Sequence, residues 1–130
     1  MYRTVRLALV GALLASFFAF APAALASGGG GDVRASGACS GASTWKLKAK
    51  PDDAGLQVSF EVDQNVNGVT WNVSITDNGS SIFSGTATTK ARSGSFTVRL
   101  LAPNQPGSDS IAATATNPAT GETCSGSLAI

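Results

Sequence analysis

From Gly37 to the last residue, apolar side chains recur at every second position, and this alternation limits the fold more than any other feature. Trp45, Leu47 and Ala49 alternate with Lys46, Lys48 and Lys50. Leu56, Val58, Phe60 and Val62 alternate with Gln57, Ser59, Glu61 and Asp63. Val69, Trp71, Val73 and Ile75 follow the same rule, as do Phe96, Val98 and Leu100, and then Ile111, Ala113 and Ala115. A period of two puts successive side chains on opposite faces of a strand, so each run has one dry and one wet face. No segment carries a helical stripe of period 3.6. The chain is expected to be all-β.

Turn residues separate the runs. Pro51 to Gly55, Asn67-Gly68, Asn78-Gly79, Arg92 to Gly94, Pro103 to Gly107 and Asn117 to Gly121 each interrupt the alternation. Asn-Gly pairs accept positive φ and favour tight hairpins, so both pairs are read as hairpin turns. Strands are predicted near 38–42, 44–50, 56–63, 69–77, 80–88, 94–101, 109–116 and 122–129. Seven to eight short antiparallel strands in this length predict a two-sheet sandwich, with a small closed barrel as the alternative.

The first residues do not belong to that domain. Arg3 and Arg6 precede an uncharged apolar run from Leu7 to Ala21, and Ala24-Leu25-Ala26 has the small-x-small pattern of a signal peptidase site. Residues 1–26 therefore read as a secretory signal peptide cut near Ala26, and the protein as secreted. The run is shorter than the ~20 residues of a transmembrane helix, and no later segment is apolar enough to span. Residues 27–36, beginning Ser-Gly-Gly-Gly-Gly, read as a flexible leader, and 37–130 as the β-sandwich domain.

Export decides the reading of the two cysteines. Outside the cytoplasm thiols pair, and Cys39 with Cys124 is the one intramolecular connectivity available. Both cysteines share the parity of the core-facing residues in their segments, which places the bridge on the core side.

Charge and composition exclude several activities. Without Arg3 and Arg6, seven Lys and Arg face eight Asp and Glu, a net charge of −1. That balance argues against nucleic-acid binding, which rests on many phosphate-neutralising cations. No histidine is present, so a serine or cysteine nucleophile lacks its usual base. Lys90 or Lys46 beside a serine would be the substitute, and nothing in the spacing selects one. Asp52 and Asp53 sit in a Pro/Gly turn, and Glu61 and Asp63 share a strand's wet face, where solvation explains them better than paired-carboxylate catalysis. Asp63 to Gly68 matches the opening of a calcium loop, but its twelfth position is Ser74, where a bidentate glutamate belongs. No cofactor and no metal is expected, and the chain is read as a non-enzyme. Trp45 and Trp71 are in register with core residues, not placed as sugar platforms.

The strongest surface feature is Lys46, Lys48 and Lys50 on one face of one strand. Cations in such a row suit an anionic envelope polymer, a phospholipid surface or an acidic protein. Lysine on an outer strand also discourages edge-to-edge pairing, and that explanation is preferred on sequence grounds.

The arrangement resembles an immunoglobulin-like or fibronectin type III-like sandwich, with Trp71 in the place of the core tryptophan of the third main strand. The stretch Asp109 to Asn117, followed by Gly121 and Cys124, is similar to the last hairpin of many bacterial immunoglobulin-like modules. Cysteines on the first and last strands depart from antibody domains, whose bridge crosses the core. Cys39 to Ile130 also resembles small secreted proteins of actinobacteria. That likeness implies a bacterial, exported sandwich and no particular activity. The function expected is a secreted binding or structural module of the envelope or medium. The alternatives are an inhibitor presenting Ala102 to Ser108 or Ala91 to Ser95, and, less favoured, a small hydrolase.

Overall fold

The computed structural model describes residues 31–130, so the signal peptide read at 1–26 lies outside the described residues. Eight antiparallel strands form two sheets: β1 (Val33–Ala38), β2 (Thr44–Asp52), β3 (Gly55–Asp63), β4 (Thr70–Asp77), β5 (Ser80–Thr88), β6 (Ser95–Ala102), β7 (Ser110–Thr116) and β8 (Thr123–Ala129). Sheet A runs β1-β2-β3-β6 and sheet B runs β5-β4-β7-β8. Each sheet keeps two open edges, so the domain is a sandwich and not the closed barrel of the alternative.

The alternation read from the sequence is the inside–outside pattern of the strands. Leu47, Ala49, Val58, Phe60 and Val62 of sheet A meet Trp71, Val73, Ile75, Ile111, Ala113 and Ala115 of sheet B, all buried. Trp71 and Phe96 join the layers, their ring centroids 6.3 Å apart and tilted by 55°. Burying this apolar face is the main force holding the sheets together.

Three expectations need correction. The leader read at 27–36 contains the start of β1, which runs Val33–Ala38, and of the strand read at 38–42 only Ala38 is in a strand, the rest being turn. Val33 pairs with Ala49 and Ala35 with Leu47, so main-chain bonding to β2 recruits a segment with little apolar signal of its own. Asn67-Gly68 is not a hairpin turn. It lies in the connection that carries the chain from β3 in sheet A to β4 in sheet B. Gln64 and Asn65 donate their amides to Gly94 O at 3.0 and 3.1 Å, pinning this crossover to the β5–β6 turn. Asn78-Gly79 does make the expected hairpin, with φ of 49° and 85° between β4 and β5.

The third correction concerns the lysine strand. β2 pairs with β1 on one side and β3 on the other, so it is an internal strand. Protection of an exposed edge therefore does not explain Lys46, Lys48 and Lys50.

Candidate functional site

The bridge is where the sequence placed it: Cys39 and Cys124 are joined, with Cα atoms 4.3 Å apart. Cys124 is buried in β8, and Cys39 is half-buried at the start of the β1–β2 turn. Polar contacts reinforce the tie. Ser40 N donates to Thr123 O at 2.8 Å, and Thr123 N donates back to Ser40 Oγ at 2.9 Å. Buried Ser43 gives its amide to Glu122 Oε2 at 2.9 Å and its hydroxyl to Oε1 at 3.1 Å. The turn between β1 and β2 is thus fastened to β8 across the two sheets.

The other candidates from the sequence are mostly engaged in local structure. Asp52 accepts from Gln57 Nε2 and from Ala54 N at 2.9 and 3.4 Å. Asp63 accepts from Asn65 N at 3.1 Å, and Gln64 Oε1 takes the Trp71 indole N–H at 3.0 Å. The calcium-like loop is therefore held together by its own residues. Among the described residues no lysine ammonium is hydrogen-bonded to a serine hydroxyl.

The outer face of sheet A is where charge collects. Side chains at alternate positions bring Arg34 from β1, Lys46, Lys48 and Lys50 from β2, and Arg99 from β6 onto one surface. Five of the seven cations beyond residue 26 are on it, together with the acidic Asp52, Glu61 and Asp63 at outward positions of β2 and β3. Arg34 stands opposite Lys48, Lys48 opposite Ser59, and Ser59 opposite Arg99, making one row across all four strands. At the usual strand spacing the row is about 14 Å long. Asp32 binds Arg34 at 2.8 Å and reaches Lys48 at 3.8 Å. The hydrogen bond from Arg34, with the charges of Arg34 and Lys48, holds the Asp32 carboxyl below its ordinary range. Glu61 lies opposite Lys46 and accepts from Thr97. Among the described residues Lys46, Lys50 and Arg99 have no acidic partner within salt-bridge distance. A groove of about 640 Å³ crosses this face, lined by Arg34, Lys46, Lys48, Ser59, Glu61 and Arg99 among others.

The chain matches no family model, no curated protein and no solved structure.

The opposite outer face has a different chemistry. On sheet B the outward positions Thr70, Asn72, Ser74 and Thr76, Thr114 and Thr116, and Ser125 and Ser127 carry hydroxyls or an amide and no charge. Among the described residues the outward positions of the two sheets are thus electrostatically unlike, with the charge on sheet A.

Sequence reasoning missed one pair of residues. Asp77 and Asp109 are 1% and 2% exposed at the end of sheet B where β4 finishes and β7 begins. Asp109 Oδ1 accepts from Gln105 N at 3.2 Å, whereas neither Asp77 oxygen has a hydrogen-bond donor. Burial first, and then the neighbouring Asp109 carboxyl, push Asp77 up to about 6. Core-side parity was the available signal: Asp77 follows Ile75 and Asp109 precedes Ile111 at two-residue steps. Both carboxyls are sealed from solvent, so a substrate cannot reach them.

Proposed function

We propose that the protein is a secreted, non-enzymatic binding module of the bacterial envelope or medium, which holds an anionic partner on the outer face of sheet A. The observation that carries this is the position of β2. Three lysines on an internal strand have no edge to protect, and their neighbours add Arg34 and Arg99 to the same surface. A structural role would favour alternating signs across strands, since like charges placed opposite one another destabilise a sheet. Here Lys46 faces Glu61, but Arg34 faces Lys48, and the two share the one carboxylate of Asp32. Five cations against Asp32, Asp52, Glu61 and Asp63 leave this face with a positive balance in a chain whose net charge beyond residue 26 is −1, which suits attraction of a polyanion to it.

The secreted assignment is supported by the disulfide, which persists in oxidising compartments. The immunoglobulin-like or fibronectin type III-like reading draws support from strand order. With β1 set aside, seven strands remain as β2-β3-β6 against β5-β4-β7-β8. This is the arrangement of an antibody constant domain with its fourth strand moved to the other sheet. Trp71 then stands on the third of these strands.

Co-sedimentation of the mature protein with envelope material from its producer tests the reading. Wild type is expected in the pellet at low salt and in the supernatant at high salt, because exposed charges are screened. K46E/K48E/K50E is expected to stay in the supernatant throughout. Equal pelleting of wild type and triple variant would remove the basic face from the function.

A further inference from the structure

We propose that Lys48, Ser59 and Arg99 form a seat for one backbone phosphate of a linear, non-nucleotide phosphate polymer. This rests on the reading of sheet A as the binding face and names the group it takes.

The three residues lie side by side on β2, β3 and β6, with Lys48 opposite Ser59 and Ser59 opposite Arg99. A short, half-buried serine between two long cations leaves a dip about 10 Å wide between the flanking Cα atoms. Lys48 and Arg99 can lean in from either side, and the Ser59 hydroxyl can donate from the floor. Among the described residues exposed Arg99 pairs with no carboxylate, and Lys48 makes one ion pair, a 3.8 Å contact to an Asp32 already engaged by Arg34 at 2.8 Å. Donors arriving from three directions fit a tetrahedral oxyanion better than a planar carboxylate, and a guanidinium fork pairs with two phosphate oxygens at once.

The grooves decide between a chain end and a chain interior. The groove of about 640 Å³ meets a second of about 470 Å³, and Lys48, Ser59 and Arg99 line both. A group seated there has open groove on either side, as a linkage inside a polymer requires. The outward positions of sheet A, from Arg34 to Leu101, include no aromatic side chain. Single-stranded nucleic acid is held largely by stacking on aromatic residues, so a polyol or sugar phosphate backbone is the better fit.

The test compares binding of the disulfide-intact mature protein to three probes at matched charge and low salt: inorganic polyphosphate, poly-glutamate and oligothymidylate. Polyphosphate is expected to bind about fivefold tighter than either other probe. R99K keeps the charge and loses the fork, S59A loses the floor donor, and K50Q removes a charge that lines neither groove. The seat requires R99K and S59A each to weaken polyphosphate binding by about threefold or more, and K50Q by less. Thermal melting of each variant confirms that it is folded. If K50Q costs more than R99K, or poly-glutamate binds as well as polyphosphate, charge alone is being read and the seat is wrong, while the binding face stands. Tighter binding of oligothymidylate would assign the face to nucleic acid and overturn the proposal. If none of the probes binds the wild type, the seat and the basic face fall together.

Discussion

The indole of Trp45, on β2 of sheet A, lies against the main chain of Gly126, on β8 of sheet B, in the space a β-carbon at Gly126 would occupy. The same ring covers Gly37 of β1, where an added Cβ would come within 2.9 Å of Trp45 Cζ2. A large aromatic thus closes the open side of the sandwich beside the Cys39–Cys124 bridge, and two glycines make room for it.

Filling that room is expected to be costly. Gly126→Ala should destabilise the domain by about 1–3 kcal/mol, since the ring is hemmed in and cannot retreat. For a domain of this size the melting temperature should drop by roughly 5–15 °C. Combining it with Trp45→Leu should cost less than the two separate losses added together, because the smaller side chain relieves the clash. Strict additivity in thermal melts would show that ring and glycine are not coupled.

The bridge and the polar contacts around it share one task. Its cysteines are 85 residues apart, and chain entropy assigns a loop of that length about 4–5 kcal/mol. The double variant C39S/C124S should keep its β-sheet circular dichroism while its urea midpoint falls. Glu122→Ala in the oxidised protein should cost about 1–3 kcal/mol, by leaving the buried Ser43 amide and hydroxyl without an acceptor. An oxidised Glu122→Ala as stable as wild type would mean that the disulfide alone fixes this corner.

Stability should fall as pH rises through the acidic range. Asp77 moves from an ordinary value of 3.8 in the unfolded chain to about 6 in the folded one, chiefly through burial. Between these values the folded state holds a proton that the unfolded state has lost. The contribution is therefore complete below pH 3.8 and gone above about pH 6. Asp77→Asn should flatten this part of the curve and raise stability at pH 7–8 by about 1–3 kcal/mol. Denaturant melts at half-unit steps from pH 3.5 to 8 would show it; an unchanged slope in the variant rules Asp77 out as the cause.

The basic face should matter little for folding. Among the described residues Lys46 and Lys50 make no salt bridge, and that of Lys48 is long. Replacing all three by Gln should change stability by less than about 1 kcal/mol, while polyanion binding drops by an order of magnitude or more. A loss of several kcal/mol would make these lysines structural.

What the residues alone determined is the inside and the outside of this domain. The period of two assigned Leu47, Phe60, Trp71 and Ile111 to the core, and two cysteines in a chain read as exported left one pairing. Both are local or forced readings, because side-chain parity on a strand does not depend on which strand lies alongside. Only the tertiary structure decided the neighbours. It brought Val33–Ala38 onto β2 by main-chain bonds that leave no mark on side-chain pattern. It thereby made the lysine strand internal and turned an edge device into a candidate binding face. It also set Arg99, on β6, in a row with Lys48, and Asp77 beside Asp109. Such pairings join residues far apart in the chain, and hydrogen-bonding backbone is the same at every residue except proline. The order of strands is therefore fixed by how whole sheets fit together, not by any single run of residues.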